Sequence, residues 1–291
     1  MATPAAELEI DEALVRSLLV DQQPDLADLP MRTVANGWDN VVVQLGTDLM
    51  VRLPRRQASV QLVLNEQRWL PELAPKLPLP IPSPIFAGKP GAKYPWAWSI
   101  CPWLPGDAAS DAPPADPHDA ALSLAAFVVA LHQPAPADAP ENPFRGVHLR
   151  QRAEAVQIRA ESLGDVVPTG RVLAVWDDLR STQEWAGPAL WLHGDLHPSN
   201  MLTLHGRLSA VIDFGDITSG DPATDLALAW MMFEPRERDV FRMAAAIDDE
   251  TWRRAAGWAL NLSLAYLTGD DTTSMPSIGR TTLAAVLAEF G

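Results

Sequence analysis

The chain changes its hydrophobic period at Pro102, and that change most constrains what it can fold into. Ahead of it, residues 31–35, 40–45 and 49–53 are short Val- and Leu-rich runs, separated by Asn36-Gly37-Trp38-Asp39 and Gly46-Thr47-Asp48. Short apolar runs joined by Gly, Asn and Asp turns are the pattern of antiparallel hairpins. Residues 85–87 and 96–101 read as further strands around the turn-like Gly88-Lys89-Pro90-Gly91. An amphipathic helix over residues 11–22 precedes this sheet, and a second, over residues 58–70 with Glu66 inside it, interrupts it. The Pro-rich residues 71–84 that follow are expected to form neither helix nor central strand.

Beyond Pro102, residues 106–117 read as a polar loop rich in Pro and Ala. Apolar residues then recur at helical spacing over residues 120–132, 148–163, 171–185, 223–233, 239–246 and 251–267. Residues 190–217 break this pattern with two short extended runs, 201–204 and 208–212. The expected fold class is α+β: an antiparallel-sheet N-terminal lobe over residues 1–101 and a mainly helical C-terminal lobe over residues 102–291. A length of 291 residues suits two lobes, because single cores stop growing at about 250–300 residues.

Charge and composition exclude several functions. A net charge of −15 argues against nucleic acid, whose binding rests on Lys and Arg neutralising phosphates, and would welcome a cationic substrate. No stretch approaches the ~20 apolar residues that span a bilayer, and residues 1–12 are acidic where a secretion signal is basic and then apolar, so no membrane partner is expected. The single cysteine, Cys101, has no partner for a disulfide or a thiolate zinc site, which fits a reducing cytoplasm. It lies in the apolar run Trp98-Ser99-Ile100-Cys101 and reads as a small buried hydrophobe.

The chemistry concentrates in residues 190–217. His193-Gly194-Asp195 is followed by Asn200, and the next hairpin ends in Asp213-Phe214-Gly215-Asp216. Phosphoryl transfer needs a carboxylate to orient the attacking hydroxyl and oxygen ligands to hold Mg against a triphosphate. Asp195 suits the first task, and Asn200 with Asp213 the second. Asp195 and Asn200 stand at the interval of the kinase catalytic loop, and Asp-Phe-Gly matches the kinase metal-binding triplet. Turn chemistry alone accounts for either motif taken singly; their order and joint occurrence point to catalysis.

These residues give the chain its resemblance to the aminoglycoside phosphotransferase family, small-molecule kinases with a protein-kinase-like fold. The shared signatures are His193-Gly194-Asp195 with Asn200, the Ile212 to Asp216 segment, and the later Gly220-Asp221-Pro222 and Asp225-Leu226-Ala227. The resemblance implies a bilobal protein-kinase-like fold, with ATP and Mg bound between the lobes. It implies a strand cation on the inner phosphates paired with a helix glutamate, positions that Arg52 and Glu66 fill here, with Arg52 replacing the usual lysine. A solvated Arg52 beside Arg55 and Arg56 is the plainer alternative. Leu202 and Ile212 would lie under the nucleotide base, and Ile100 and Cys101 in the interlobe linker would offer backbone groups to it. The resemblance gives His193 a loop-bracing role and lets Asp225 anchor the catalytic loop, where simple helix capping is the alternative. His197 either approaches substrate or is a solvent-exposed loop residue, and Asp216 either adds negative potential for a cationic substrate or is a surface turn residue.

Gly194 stands where a protein kinase carries Arg, and no Ala-Pro-Glu segment follows, so a small hydroxyl-bearing acceptor is expected in place of a protein. An aminoglycoside or macrolide antibiotic is the leading expectation for it. A metabolic kinase of an amino alcohol, sugar or other small alcohol, and a nucleotide-binding pseudokinase, are the alternatives. The turn at Asn36-Gly37-Trp38-Asp39-Asn40 takes the place of a phosphate-covering loop without its glycine pattern.

Overall fold

A computed structural model describes residues 5–269 and 273–291. The expected lobes of residues 1–101 and 102–291 include 1–4 and 270–272, which lie outside the described residues. Helix α1 (Glu12–Gln22) is capped by Asp11, whose carboxylate accepts from the Leu14 N–H at 2.7 Å. Strands β1 (Met31–Asn36), β2 (Asn40–Leu45) and β3 (Leu49–Pro54) form two successive antiparallel hairpins on the expected turns. Helix α2 (Val60–Leu73) follows, and β4 (Phe86–Gly88) and β5 (Trp98–Pro102) complete an antiparallel sheet in the order β1-β2-β3-β5-β4. Val43, Leu45, Val51, Leu53, Trp98 and Ile100 bury one face of that sheet against Val15, Leu18 and Leu19 of α1.

Helix α2 runs three residues past the expected end and takes Pro71 into its last turn. Proline there removes one hydrogen bond near a helix end, where the loss is smallest. The extension carries Trp69, Leu70 and Leu73 into the core of the second lobe, and Trp69 meets Trp191 with ring centroids 4.9 Å apart. One helix is therefore shared by both cores.

Strand β6 (Asp107–Ala108) opens the second lobe, followed by α3 (Pro117–Leu131), α4 (Ala153–Ser162) and α5 (Thr169–Arg180). Strands β7 (Leu190–Leu192), β8 (Met201–Leu204), β9 (Arg207–Val211) and β10 (Thr218–Gly220) then carry the catalytic-type motifs. β8 pairs with β9 and β6, and β7 pairs with β10. The expected helix over residues 223–233 is broken into α6 (Ala223–Leu226) and α7 (Ala229–Met232). Helices α8 (Pro235–Ala244), α9 (Asp249–Leu267) and α10 (Met275–Phe290) follow, and α9 forms the centre of the lobe, with α10 packed along it. Helix α5 stops at Arg180, five residues short of expectation, and α10 was not expected from the sequence. Among the described residues no helix is long and apolar enough to cross a membrane.

Candidate active site

The loop between β7 and β8, which carries His193, Gly194, Asp195 and Asn200, is held from below by one carboxylate. Asp225, fully buried in α6, accepts the backbone N–H groups of His193 (2.8 Å) and Gly194 (2.9 Å) on its two oxygens. His132 Nε2 reaches the same carboxylate at 3.2 Å. Asp225 therefore anchors this loop and does not cap its own helix, whose N-cap position is Pro222. Gly194 sits at φ +86°, and a Cβ there would lie 2.3 Å from the Asp216 carbonyl oxygen, so no arginine fits where a protein kinase has one.

His193 braces the loop on its other side. Its Nδ1 lies 3.2 Å from the Asp195 N–H and its Nε2 2.9 Å from the Ile212 carbonyl. An N–H on one side and a carbonyl on the other require a neutral ring with the proton on Nε2. The ring packs 4.4 Å from Phe214. His193 thus ties Asp195 to the residue before Asp213.

Asp195 has 26% of its side chain exposed, with Oδ1 3.1 Å from Arg145 Nη2 and Oδ2 3.4 Å from His197 Nε2. Burial acts to raise its pKa, but His197 and Arg145 outweigh it and hold the carboxyl well below the usual carboxylate range. His197 is buried, accepts the Ser199 N–H on Nδ1, and lies edge-on to the Tyr266 ring. It is neither solvent-exposed nor on a cavity wall, and it stands behind Asp195. Asn200 donates from Nδ2 to the Asp195 carbonyl at 3.0 Å, which leaves Oδ1 available as an acceptor. Its own carbonyl accepts the Ile212 N–H at 2.9 Å, placing the start of the Asp-Phe-Gly segment beside it. Asp213 adopts φ +63° and keeps 59% of its side chain exposed. Two side-chain oxygens from adjoining backbone form a donor set that fits Mg, a hard cation.

Across the cleft, Arg52 of β3 lies 2.8 Å from Glu66 of α2 and 3.7 Å from Asp213 Oδ1. Arg52 is buried, so the solvated alternative does not hold. Burial acts to lower its pKa, and Glu66 and Asp213 overcome this and hold the guanidinium above its ordinary value. The β1–β2 turn is fixed by the residues that follow β3. Arg55 Nη1 donates to the Gly37 carbonyl at 2.7 Å, and Arg56 Nη2 and Ser59 Oγ reach Asp39 Oδ1 at 3.0 and 2.6 Å. Side-chain anchors thus stand in for a glycine-rich backbone.

Two cavities meet at this point. The first, about 380 Å³, lies between the lobes under β1–β3 and is lined by Val34, Val42, Met50, Arg52, Trp103, Leu104, Leu202, Ile212 and Asp213. The second, about 680 Å³, is lined by Arg145, Asp195, Asp216, Tyr266, Met275 and again Asp213. Trp38, Asp39 and Asp213 belong to both. Leu202 and Ile212 line the first cavity. Ile100 and Cys101 do not: both are buried inside β5, where the Ile100 carbonyl accepts the Ile85 N–H. The ladder continues to Trp103, whose N–H donates to Asp48, so Trp103 and Leu104 reach the cavity instead. Burial pushes the Cys101 thiol up to about 12. Trp103 closes the interlobe linker expected from the sequence, whereas Arg145 and Tyr266 line the second cavity without any sequence pattern marking them.

A sheet lobe and a helical lobe, joined over a cleft that gathers a buried cation–glutamate pair and a buttressed carboxylate loop, define a kinase-like fold. The family model described as the phosphotransferase enzyme family matches residues 30–258, and the chain belongs to that family. It is a phosphotransferase. Among solved structures, the GDP complex of wild-type aminoglycoside 2'-phosphotransferase-IIIa aligns with TM-score 0.68 at 19% identity, over 96% of this chain and 99% of that one. The apoenzyme of macrolide 2'-phosphotransferase MphH from Brachybacterium faecium aligns with TM-score 0.63 at 22% identity, over 94% and 97%. A curated relative, the uncharacterized protein YcbJ of Bacillus subtilis strain 168, is 24% identical over 66% of this chain, and the match spans 65% of that relative's length.

Proposed function

We propose that the chain transfers the γ-phosphoryl group of ATP to a hydroxyl of a small molecule. The observation that carries this reading is the junction of the two cavities at Asp213, with Arg52 on the wall of one and Asp195 on the wall of the other. In this reading the adenine lies in the first cavity between Met50 and Leu202, beside the backbone of Trp103 and Leu104. Arg52, oriented by Glu66, takes the inner phosphates. Asn200 Oδ1 and the Asp213 carboxylate hold Mg, which when bound neutralises phosphate charge. Asp195 accepts a hydrogen bond from the acceptor hydroxyl in the second cavity and aims its oxygen at the phosphorus. Asp195 thereby orients the hydroxyl and accepts its proton as the oxygen bonds to phosphorus.

A second cavity of about 680 Å³ is in the range of sites for drug-sized molecules. An antibiotic or a metabolic alcohol of comparable size is the acceptor in this proposal, and an ATP co-substrate with a single buried thiol suits the cytoplasm. The test is a thermal-shift titration with Mg-ATP and Mg-GTP, followed by an ADP-release screen over alcohol-bearing compounds. A kinase gives a nucleotide shift and acceptor-stimulated ADP release. A shift without stimulation by any compound would favour a nucleotide-binding pseudokinase.

A further inference from the structure

Of the chain's eleven tryptophans, Trp38 is the exposed one, with 46% of its surface open; the others are buried or half-buried. One exposed apolar residue needs no explanation by itself. Its position does. Trp38 stands at the tip of the β1–β2 turn, and among the described residues only Trp38, Asp39 and Asp213 line both cavities. The sheet lobe supplies the first two of these and the helical lobe the third.

The three shared residues differ in what they are free to do. Asp39 is held by Arg56 and Ser59. Asp213 stands 3.7 Å from Arg52. The backbone beside Trp38 is fixed as well: the Gly37 carbonyl accepts from Arg55 Nη1 at 2.7 Å, and the Gly37 N–H donates to the Asn40 carbonyl at 3.0 Å. The indole is left with its own two side-chain torsions. A bulky ring on a clamped backbone therefore stands at the passage between the cavities, where a glycine-rich turn would offer no side chain at all.

The reaction proposed above gives such a ring a task. Asp195 accepts a hydrogen bond from any O–H, so it orients a water as readily as an alcohol. The second cavity, about 680 Å³, has room for many waters whenever it holds no acceptor. In the competing reaction a water oxygen bonds to the γ-phosphorus while the bond from that phosphorus to the β–γ bridging oxygen breaks. ADP and inorganic phosphate leave, and one proton is released. A carboxylate does not separate the two reactions, whereas steric exclusion at the junction does.

We infer that the Trp38 indole is a shutter between the two cavities: it lies against the terminal phosphate of bound nucleotide and keeps water of the second cavity away from it. An acceptor displaces the ring by packing apolar surface on it, which water does not offer. This rests on the phosphotransferase reading above and adds the residue that separates transfer from hydrolysis.

Two measurements on the full chain, made without any acceptor, test it. The first is acrylamide quenching of tryptophan fluorescence with and without Mg and adenylyl imidodiphosphate, a non-hydrolysable ATP analogue. The difference between wild type and Trp38→Phe isolates the Trp38 signal, and the analogue is expected to lower the quenching of that signal about threefold. The second is release of inorganic phosphate from saturating Mg-ATP. Trp38→Ala is expected to hydrolyse about tenfold faster than wild type, and Trp38→Phe, which keeps an aromatic ring, to restore most of the restraint. A Trp38 signal quenched equally with and without the analogue overturns the inference, as does a Trp38→Ala hydrolysis rate at or below that of wild type. Either result leaves the phosphotransferase reading standing. If the analogue gives wild-type protein no thermal shift, that reading falls too.

Discussion

Removing the Asp225 carboxylate should uncouple the catalytic loop from the helical lobe, and the structure gives the size of the effect. Two backbone donors, on His193 and Gly194, end on its two oxygens in a fully buried site. In Asp225→Ala both lose their acceptor, and a buried donor left unpaired costs about 1–3 kcal/mol. The expected loss is therefore about 2–6 kcal/mol, a large share of the roughly 5–15 kcal/mol that holds a typical domain folded. For a lobe of this size that lowers the melting temperature by about 4–24 °C. Asp225→Asn keeps one carbonyl oxygen and turns an NH2 toward the other donor, so its loss should be about half as large. Differential scanning fluorimetry gives the melting temperatures, and amide exchange on the peptide spanning residues 190–200 reports the loop itself. A shift under about 2 °C in Asp225→Ala, with exchange on that peptide unchanged, would refute the reasoning, because the two N–H groups would then have found other acceptors.

Three further outcomes are expected. Arg52→Met and Glu66→Leu should each destabilise by about 3–5 kcal/mol by leaving a buried charge alone, and the double variant should be less unstable than either; additive losses in urea unfolding would contradict the pairing. Gly194→Ala should lower kcat by roughly a hundredfold, because its Cβ collides with the Asp216 carbonyl and the loop must shift; steady-state rates equal to wild type would contradict this. Asp248 caps α9, and hydrogen bonds from the Thr251 N–H and hydroxyl depress its pKa against the opposing effect of burial. A depressed carboxyl stabilises the fold above its unfolded pKa of about 3.9 and loses that contribution as pH falls through and below it. The cost of Asp248→Ala, about 1 kcal/mol at pH 7, should accordingly shrink between about pH 5 and pH 2; a cost independent of pH would contradict the assignment.

The parts of this site that the sequence revealed are those encoded locally. Asp195, Asn200 and Asp213 stand at fixed intervals around one hairpin, and the β1–β3 hairpins announce themselves through their Gly, Asn and Asp turns. Arg145 has no such signal: it lies in an irregular stretch, and its partner Asp195 is fifty positions away in the chain. Of the expected linker Ile100 to Trp103, Ile100 and Cys101 fall inside the sheet because its ladder runs on through Pro102 to Trp103, which depends on pairing with β3 and leaves no mark in composition. Pro71 reads as a helix breaker, yet burial of Trp69 and Leu73 in the second core carries α2 past it. Helix α10 is missing from the sequence reading although Ile278, Leu283, Val286 and Leu287 recur at helical spacing on its buried face.

The central claim is that Asp195 and Asp213 serve separate steps of one phosphoryl transfer. Transfer of label from γ-32P-ATP to an active acceptor, measured beside Mg-ATP affinity in Asp195→Ala and Asp213→Ala, tests it most directly. Asp195→Ala is expected to bind Mg-ATP as wild type does and to transfer phosphate roughly a thousandfold more slowly, while Asp213→Ala loses both transfer and the Mg dependence of ATP binding. Wild-type transfer in either variant, or an Asp195→Ala protein that no longer binds Mg-ATP though folded, would contradict it.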